Sequence, residues 1–471
     1  MVFNSLQFLV FFMVVTILFY QMKNQKARIW LLLLSSCYFY MTFVPIYILI
    51  LGATIVIDYI AGILIASSST SGRKRAWLTL SVITNVGILA FYKYFNFLLG
   101  NFEPLIGHFF PHYKVPYLNI ILPIGLSFHT FQAMSYTIEV YRGNQKPERN
   151  FVVYALYVMF YPQLVAGPIE RPQNILPQIK EYRPYNWDNV KEGLARMLWG
   201  FFKKVVIADR VAMIVDHTFT HTNKSSSTAL FIGALIYYFQ IYCDFSGYSD
   251  IALGAAKVMN IKLMENFNQP IFSKNISDFW RRWHISLYSW FYDYVFNPLV
   301  FALRNFKIGG IIFGFIFVFA LSGLWHGAAW HHIIYGVING LALAFEYLTR
   351  KQRKNMLSNL PKWTNNSLGI LVTFSFVIFS RIFFRAESVP EAWSYLKAMF
   401  MFRGGSNNIG VNIAELLFSI IAIVIMVSRE KLLPHHFISS NKRFYLYAFA
   451  MVSICYVFGV FGENQFIYFQ F

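Results

Sequence analysis

The sequence has few charged residues. Only 13% of its 471 residues are Asp, Glu, Lys or Arg, whereas a typical soluble domain has about 25%. Apolar residues make up 57% of the chain, and the mean hydropathy is +0.48. A protein with so little polar surface is not expected to fold in water. The composition therefore predicts an integral membrane protein.

Cysteine is also scarce. Cys37, Cys243 and Cys455 lie far apart, each in or beside an apolar run. No CxxC or Cys/His spacing offers a metal site, and an odd number of buried cysteines is poor material for disulfides. We expect these residues to pack in the core, with no bound metal.

The first positive charges follow the first apolar run, which predicts a retained membrane helix rather than a cleaved signal.

Acidic residues are outnumbered, with 21 Asp and Glu against 40 Lys and Arg and a formal charge of +19. The basic residues fall in short clusters between apolar runs instead of along one continuous stripe. This distribution is typical of cytoplasmic loops and of contact with anionic lipid headgroups. It argues against nucleic acid as a partner.

Five apolar runs in the first 150 residues predict membrane spans, because about 20 apolar residues cross a bilayer. These spans are Leu6–Tyr20, Trp30–Phe43, Tyr47–Ala66, Trp77–Leu99 and Asn119–Val140. Basic loops at 23–28, 73–75 and 142–149 alternate with them. Since Lys and Arg concentrate on the cytoplasmic side, the three loops agree on an extracytoplasmic N-terminus.

The pattern weakens between residues 151 and 305. Phe151–Gly167 is apolar but short, which predicts a partial or re-entrant span. Asn189–Asp216 carries several basic residues, and we expect it at the membrane interface with Lys203 and Lys204 extending to water. Irregular segments at membrane depth are expected where they line a cavity, so this middle region is the predicted site region.

Another apolar run in the middle region, Ala229–Ala256, is interrupted by polar residues. Asp244, Ser246, Ser249 and Asp250 lie inside it. Short polar side chains commonly cap helix ends. We therefore predict a helix that breaks here, with a capping role for these residues favoured over a chemical one.

Regular spans return after residue 307. They are Ile308–Leu324, Ile333–Leu348, Leu368–Phe384, Ala414–Val427 and Tyr445–Val460. The whole pattern predicts an all-α, polytopic membrane protein with roughly 11–13 transmembrane or re-entrant helices. We find no internal repeat or soluble domain, which predicts one membrane domain over 1–471. Within it, we expect N-terminal helices at 1–150, an active-site core at 151–345 and C-terminal helices at 346–471.

His326 ends a long apolar run among Gly323, Gly327, Ala328 and Ala329. An ionisable group at such depth is a functional-site hypothesis by default, and small neighbours allow a ligand to approach closely. A buried imidazole favours its neutral form, which suits a general base. The alternative is a packing histidine that is hydrogen-bonded by a neighbouring helix.

His284 lies four residues after Trp280 and four before Tyr288, which predicts a shared helical face. Arg281 and Arg282 could hold a phosphate or a carboxylate. The more ordinary interpretation of both arginines is an interfacial helix with Trp anchors, with Asp278 as a local ion-pair partner.

Three other histidines are weaker candidates. We expect His129 to pack in the core, and His331 and His332 to lie at the outer water boundary. No Ser/His/Asp elbow, glycine-rich phosphate loop or HExxH spacing is present in the sequence.

Several motifs resemble the membrane-bound O-acyltransferase family, and within it the bacterial branch that O-acetylates alginate. The motifs are 122–142, 161–169, 201–209, 242–252, 279–287 and 323–330. The resemblance implies a ring of tilted helices around a funnel with a central tunnel. It implies that His326 corresponds to the near-invariant family histidine and His284 to the second one.

The resemblance further implies a cytoplasmic acyl donor, with acetyl-CoA as the expected substrate and no bound cofactor. Transfer would be to a hydroxyl of an exported polysaccharide, or to an extracytoplasmic esterase-like partner that acetylates the polymer. This places the protein in the bacterial inner membrane, in contact with lipids. Residues expected to bind substrate or donor, or to support the site, are Trp280, Arg281, Arg282, Trp325, Asn275, Asp278 and Asp250.

Three other functions remain open at this stage, one of which is a lipid acyltransferase. A D-alanyl transferase acting on teichoic acid would use basic loops such as Arg304–Lys307 and Arg350–Lys354 to receive a small carrier protein. A transporter or flippase would predict internal repeats around its cavity.

Overall fold

The computed structural model describes residues 1–110, 116–119, 122–164, 167–358, 360–432, 440–461 and 466. Within these ranges the chain is largely helical, and its extended pairings are two isolated bridges. The predicted all-α fold is confirmed. Residues 111–115, residues 120–121 of the predicted span Asn119–Val140 and residues 165–166 of the predicted partial span lie outside the described residues.

In the described part of the chain, five helices are long and apolar enough to cross a membrane. They are Tyr47–Ser67, Ser71–Phe109, Ser227–Val258, Ile308–His326 and Lys362–Arg385. Four of them contain a run that the sequence predicted to span the membrane, and Ser227–Val258 contains the apolar run that was predicted to be interrupted. The multi-pass membrane character is therefore confirmed.

One compact unit consists of residues 1–197 and 249–264. Its helices are α1 Leu6–Gln21, α2 Gln25–Met41, α3 Tyr47–Ser67, α4 Ser71–Leu89, α5 Phe95–Phe109, α6 Leu126–Arg142, α7 Phe151–Met159, α8 Tyr161–Leu164, α9 Pro172–Lys180 and most of α10 Trp187–Phe201. A π-helical turn at Ala90–Tyr94 joins α4 to α5. Within this unit α3, α4 and α6 pack against one another.

The starts of several helices in this unit follow from their capping residues. The Ser5 hydroxyl accepts a hydrogen bond from the Phe8 amide, and Asn24 and Thr70 cap α2 and α4 in the same way. These side chains satisfy amides that have no partner within the helix. Helix α6 lies between two glycines in the left-handed region, Gly125 at φ 74° and Gly143 at φ 80°, a conformation that glycine adopts at little cost.

The other unit consists of residues 198–248 and 265–471. Its helices are most of α12 Ser227–Val258, α11 Asp209–Thr220, α13 Ile276–Trp280, α14 Ile285–Phe291, α15 Asn297–Ala302, α16 Ile308–His326, α17 Trp330–Leu348, α18 Arg350–Leu357, α19 Lys362–Arg385, α20 Val389–Phe400, α21 Ile413–Leu432 and α22 Asn441–Phe458. Both predicted catalytic histidines belong to this unit.

Helix α12 runs without a break through 32 residues, so the prediction of a helix broken near residue 244 is wrong. Asp244 does not cap a helix end. Its carboxylate accepts a hydrogen bond from Lys204 Nζ at 2.5 Å, and both side chains are buried. Because the charge is matched by a residue 40 positions away in the sequence, the helix can continue past it.

The expectation that Lys203 and Lys204 extend to water is also wrong. Both lie in a π-helical turn, Phe202–Ala208, and are 2% and 1% exposed. Lys204 pairs with Asp209 at 2.9 Å as well as with Asp244, and Lys203 Nζ lies 3.4 Å from a Glu430 oxygen. A buried charge requires such partners, and these contacts bring α21 onto the π-helical turn.

Candidate active site

The hairpin of α16 and α17 places His326 at its turn. Two glycines allow these helices to touch: a Cβ at Gly323 would lie 2.1 Å from the His332 carbonyl oxygen, and one at Gly336 would lie 2.0 Å from that of Phe319. His326 is the last residue of α16 and is 6% exposed. Small residues at helix contacts permit this close approach in membranes. The hairpin thus fixes the backbone of His326 on both sides.

His284 has an unusual backbone conformation. Its φ of 46° and ψ of 52° lie in the left-handed region, directly before α14 begins, which costs a non-glycine residue on the order of 1–3 kcal/mol. Trp280 ends α13, so a turn separates it from His284 and Tyr288. The prediction that these three residues share one helical face is therefore wrong.

Asn266 holds the chain on the far side of His284. Its carbonyl oxygen accepts the Ile285 amide at 3.0 Å. Its side-chain oxygen accepts the amide of Ser286 at 3.2 Å and the hydroxyl of Ser286 at 2.9 Å. An isolated bridge between Phe267 and Trp283 secures the preceding residues. These contacts stabilise the strained conformation that directs the His284 side chain.

The two imidazoles lie close together. The ring centroids of His284 and His326 are 6.4 Å apart with an interplanar angle of 49°. Trp325 lies beside both, with its ring centroid 6.1 Å from that of His284 and 5.0 Å from that of His326. This separation exceeds a direct hydrogen bond between the rings, yet both can reach one small reacting group.

Aromatic side chains surround the pair. Phe245 of α12 meets the His284 ring edge-on with centroids 4.6 Å apart, and Phe384 of α19 meets His326 in the same way at 5.2 Å. His284 is 1% exposed, and burial lowers the pKa of its imidazole well below the ordinary value. The ring is therefore neutral at pH 7.

His284 is one of the residues that line an aromatic cavity. Ser322, one turn before His326, also lines it, and Tyr292 and Phe296 belong to a π-helical turn, a feature often found at functional sites. The remaining wall consists of Trp280, Leu287, Tyr288, Phe291, Phe315, Val318 and Phe319. Apolar lining with a few polar groups is typical of a small-molecule site.

The other predicted site residues have varied surroundings. Trp280 lines the cavity and Trp325 contacts both histidines. Asn275 caps α13 by accepting the Asp278 amide at 2.7 Å. Arg282 Nε donates to Asp278 at 2.8 Å.

The two remaining candidates, Arg281 and Asp250, also have polar partners within the protein. Arg281 donates to the carbonyl and the hydroxyl of Ser277 at 3.3 and 3.2 Å. Within the unit of residues 1–197 and 249–264, Asp250 accepts a hydrogen bond from Arg196 at 2.9 Å.

His331 and His332 are buried, at 7% and 3% exposure, so the prediction that they lie at a water boundary is wrong. His331 Nδ1 lies 2.9 Å from the Phe383 carbonyl oxygen, and His332 packs edge-on against Phe384 with centroids 5.1 Å apart. Both residues help to place the side of the site that α19 forms. His129 is buried in α6, in agreement with the packing role expected for it.

Sequence reasoning missed Asn266, Phe245 and Phe384. Each acts through a contact with a residue distant in the sequence, so no spacing pattern marks it. The only local signal is that Asn266 and Asn268 are two polar residues flanking an aromatic one.

The chain is similar to known acyltransferases. The family model described as MBOAT, membrane-bound O-acyltransferase family, matches residues 146–386, a range that contains both histidines. The chain is 36% identical over 405 residues to a protein of Pseudomonas aeruginosa named probable alginate O-acetylase, covering 85% of this chain and 75% of that one. It is 35% identical over 442 residues to a peptidoglycan O-acetyltransferase of Helicobacter pylori, covering 86% and 81%.

A teichoic acid D-alanyltransferase of Bacillus subtilis is 31% identical over 301 residues, covering 61% of this chain and 74% of that one. By name, two of these relatives transfer acetyl groups, to alginate and to peptidoglycan, and the third transfers D-alanyl to teichoic acid, so acyl transfer is common to all three. The chain belongs to the membrane-bound O-acyltransferase family and is a multi-pass membrane acyltransferase.

Proposed function

We propose that this protein is an O-acetyltransferase of the bacterial inner membrane that modifies an exported cell-envelope polysaccharide. The observation that supports the proposal most directly is the pair of buried imidazoles, whose ring centroids are 6.4 Å apart, with His284 lining an aromatic cavity. The relatives named for O-acetylation cover 85% and 86% of the chain. The relative named for D-alanyl transfer covers 61%, which favours acetyl over D-alanyl as the transferred group.

The proposed donor is acetyl-CoA, which reaches the site from the cytoplasm. The acceptor is a hydroxyl group that reaches it from the other side of the membrane. The hydroxyl belongs to the polysaccharide or to a separate extracytoplasmic partner that passes acetyl on to it. The predicted extracytoplasmic N-terminus fits this direction of transfer, and a substituted-cysteine map of Thr70, Asn101 and Lys146 tests that orientation.

In the proposed reaction, neutral His326 removes the proton of the acceptor hydroxyl as its oxygen attacks the thioester carbonyl carbon. A C–O bond forms, the C–S bond breaks, and the thiolate leaves with the proton that His326 held. General-base assistance of this kind contributes roughly 10²–10⁴-fold. Holding the two substrates in line at the cavity supplies much of the remainder.

His284 has a different proposed role. Its neutral ring, fixed by the Asn266 contacts, donates a hydrogen bond to the carbonyl oxygen as negative charge develops there. Preorganised donors in a water-poor site stabilise such charge strongly. Trp325, in contact with both rings, excludes water and keeps them at their separation.

The test is transfer of labelled acetyl from acetyl-CoA in proteoliposomes that contain the full chain and its acceptor. We expect His326→Gln and His284→Gln to lose activity while remaining folded, and His221→Gln, at an exposed turn in the same unit, to retain it. Labelling by the His326 variant at the wild-type rate would refute the assignment of the base. Transfer from a D-alanyl carrier thioester, with none from acetyl-CoA, would establish the rival function.

A further inference from the structure

A buried carboxylate lies among uncharged groups, in the unit that does not contain the two histidines. Asp58 of α3 lies with Ser81 and Asn85 of α4 and Thr137 of α6, and all four residues are fully buried. Helices α3 and α4 are among those apolar enough to span a membrane. The acyl-transfer mechanism makes no use of this cluster.

The contacts of Asp58 are short and come from neutral donors. The Ser81 hydroxyl donates to Oδ1 at 2.6 Å. The Asn85 side-chain amide donates to Oδ1 at 3.0 Å and to Oδ2 at 2.8 Å. The Ser81 and Thr137 hydroxyl oxygens lie 3.0 Å apart. In the part of the chain that the structure describes, no Lys, Arg or His forms an ion pair with Asp58.

A carboxylate in such surroundings requires a counter-charge. Removing an ion from water costs several kcal/mol even after relaxation, and ionisable groups within membrane spans mark ion or proton sites. Three hydrogen bonds from neutral donors orient the Asp58 carboxylate, but they supply no positive charge. The charge must therefore be matched by a bound proton or by a bound cation.

Two buried oxygens nearby distinguish these possibilities. The Asn85 side-chain oxygen and the Tyr154 hydroxyl have no hydrogen-bond partner among the described residues. The first belongs to the amide that contacts Asp58. The second lies on α7, close enough to Asp58 for the two groups to interact electrostatically. The Tyr154 ring contacts that of Tyr136. Tyr136 in turn packs against Gly62, one turn along α3 from Asp58. One proton on Asp58 can satisfy only one of these acceptors, whereas a cation can be bound by several oxygens together.

The set of groups also indicates the class of ion. Carboxylate, amide and hydroxyl oxygens suit hard cations, whereas sulfur and imidazole ligands are absent from the cluster. A single carboxylate balances one positive charge. The described residues contain no group of three or more His, Cys, Asp or Glu side chains placed to hold a metal ion, which argues against a divalent site. The full burial of these side chains among three packed helices favours a small ion.

We propose that Asp58, Ser81, Asn85 and Thr137 form a binding site for a sodium ion that holds α3, α4 and α6 together. The ion supplies the positive charge that the helices lack, and the Asn85 side-chain oxygen turns to it as a ligand. Because it binds only the folded arrangement of three helices, it stabilises that arrangement by mass action.

The experiment is thermal unfolding of the purified full chain in detergent, with sodium chloride replacing choline chloride at constant ionic strength. We expect the unfolding midpoint to rise with sodium until it saturates, and to rise less with potassium. Asp58→Asn, which preserves shape but removes the charge, abolishes the rise. The matched control is Glu170→Gln, another buried carboxyl in the same unit, which keeps the sodium response.

If Asp58→Asn does not fold, Ser81→Ala serves instead, with half-saturation at a higher sodium concentration than in the wild type. Equal unfolding midpoints in sodium chloride and choline chloride would overturn the proposal. If acid then raised the midpoint, the counter-charge of Asp58 would be a proton and not sodium. A full sodium response in Asp58→Asn, or unchanged half-saturation in Ser81→Ala, would also overturn it.

Discussion

The side-chain oxygen of Asn266 accepts hydrogen bonds from both the backbone amide and the hydroxyl of Ser286, at 3.2 and 2.9 Å. This contact lies two residues beyond His284, whose backbone it holds in the left-handed region. Asn266 therefore acts on the reaction through the position of another side chain. Through Asn266, a segment without regular secondary structure fixes the position of one of the two imidazoles.

Replacing Asn266 by Ala should lower kcat more than it raises KM, because His284 loses its fixed direction. Leaving the buried Ser286 amide unpaired costs about 1–3 kcal/mol, so we also expect a lower unfolding midpoint. Steady-state kinetics in proteoliposomes measure the first effect. Asn266→Asp keeps the acceptor oxygen and should restore part of kcat. Equal loss of kcat in both variants would contradict the positioning role.

Replacing His326 by Gln should reduce the rate of acetyl transfer by roughly 10²–10⁴-fold, the contribution of a general base. The double variant with His284→Gln should lose little more than the worse single variant, because residues that act as a unit are not additive. Single-turnover rates with labelled donor measure both effects. Losses that multiply would show that the two imidazoles act independently.

Replacing Gly336 by Ala should separate α16 from α17. The new methyl group would lie 2.0 Å from the Phe319 carbonyl oxygen, and overpacking of this kind costs typically about 1–3 kcal/mol. Gly309→Ala is the control, because a Cβ there meets nothing within 4 Å. Unfolding midpoints in detergent compare the two. A control that destabilises as much as Gly336→Ala would contradict the close-contact explanation.

Replacing Lys204 by Met should destabilise the protein by about 3–5 kcal/mol, the usual effect of removing one partner from a buried ion pair. The change leaves Asp209 and Asp244 without the cation that now lies 2.9 and 2.5 Å from them. Adding Asp244→Asn should recover part of the lost stability, because it removes one of the two carboxylates left without a cation. A double variant less stable than Lys204→Met would count against this account.

The stability of the protein should fall as pH rises from about 4.5 to about 7, in part because of Glu170. Burial raises the pKa of this carboxyl from 4.5 to about 7. A folded-state pKa above the unfolded value gives stability that is full below about pH 4.5 and lost as pH rises through about 7. Glu170→Gln should weaken this pH dependence. Identical profiles for wild type and variant would disprove the contribution of Glu170.

The sequence predicted four of the five long apolar helices found in the described residues, and it identified the two histidines as candidates, because these signals are local. A long apolar run and an imidazole at its end can be recognised from neighbouring residues alone. The errors arose where a distant residue decides the structure. The helix around Asp244 continues because Lys204 matches its charge, and no pattern within the helix records that pairing.

The conformation of His284 could not be predicted for a related reason. The residues around it favour a continuous helix, since Trp280, His284 and Tyr288 are spaced four apart. The Asn266 contacts and the bridge from Phe267 to Trp283 override that local preference. Long-range hydrogen bonds therefore decide where the second imidazole lies, although the sequence identified it as a candidate.

The unbroken length of α12 has a consequence for the surrounding bilayer. Its 32 residues extend about 48 Å at 1.5 Å per residue, whereas a typical hydrocarbon layer is about 30 Å thick. Such a helix must tilt, or its ends must emerge into the headgroup regions. Lipid acyl-chain length therefore becomes a variable that acts on the tilt of this helix and on the environment of its two ends.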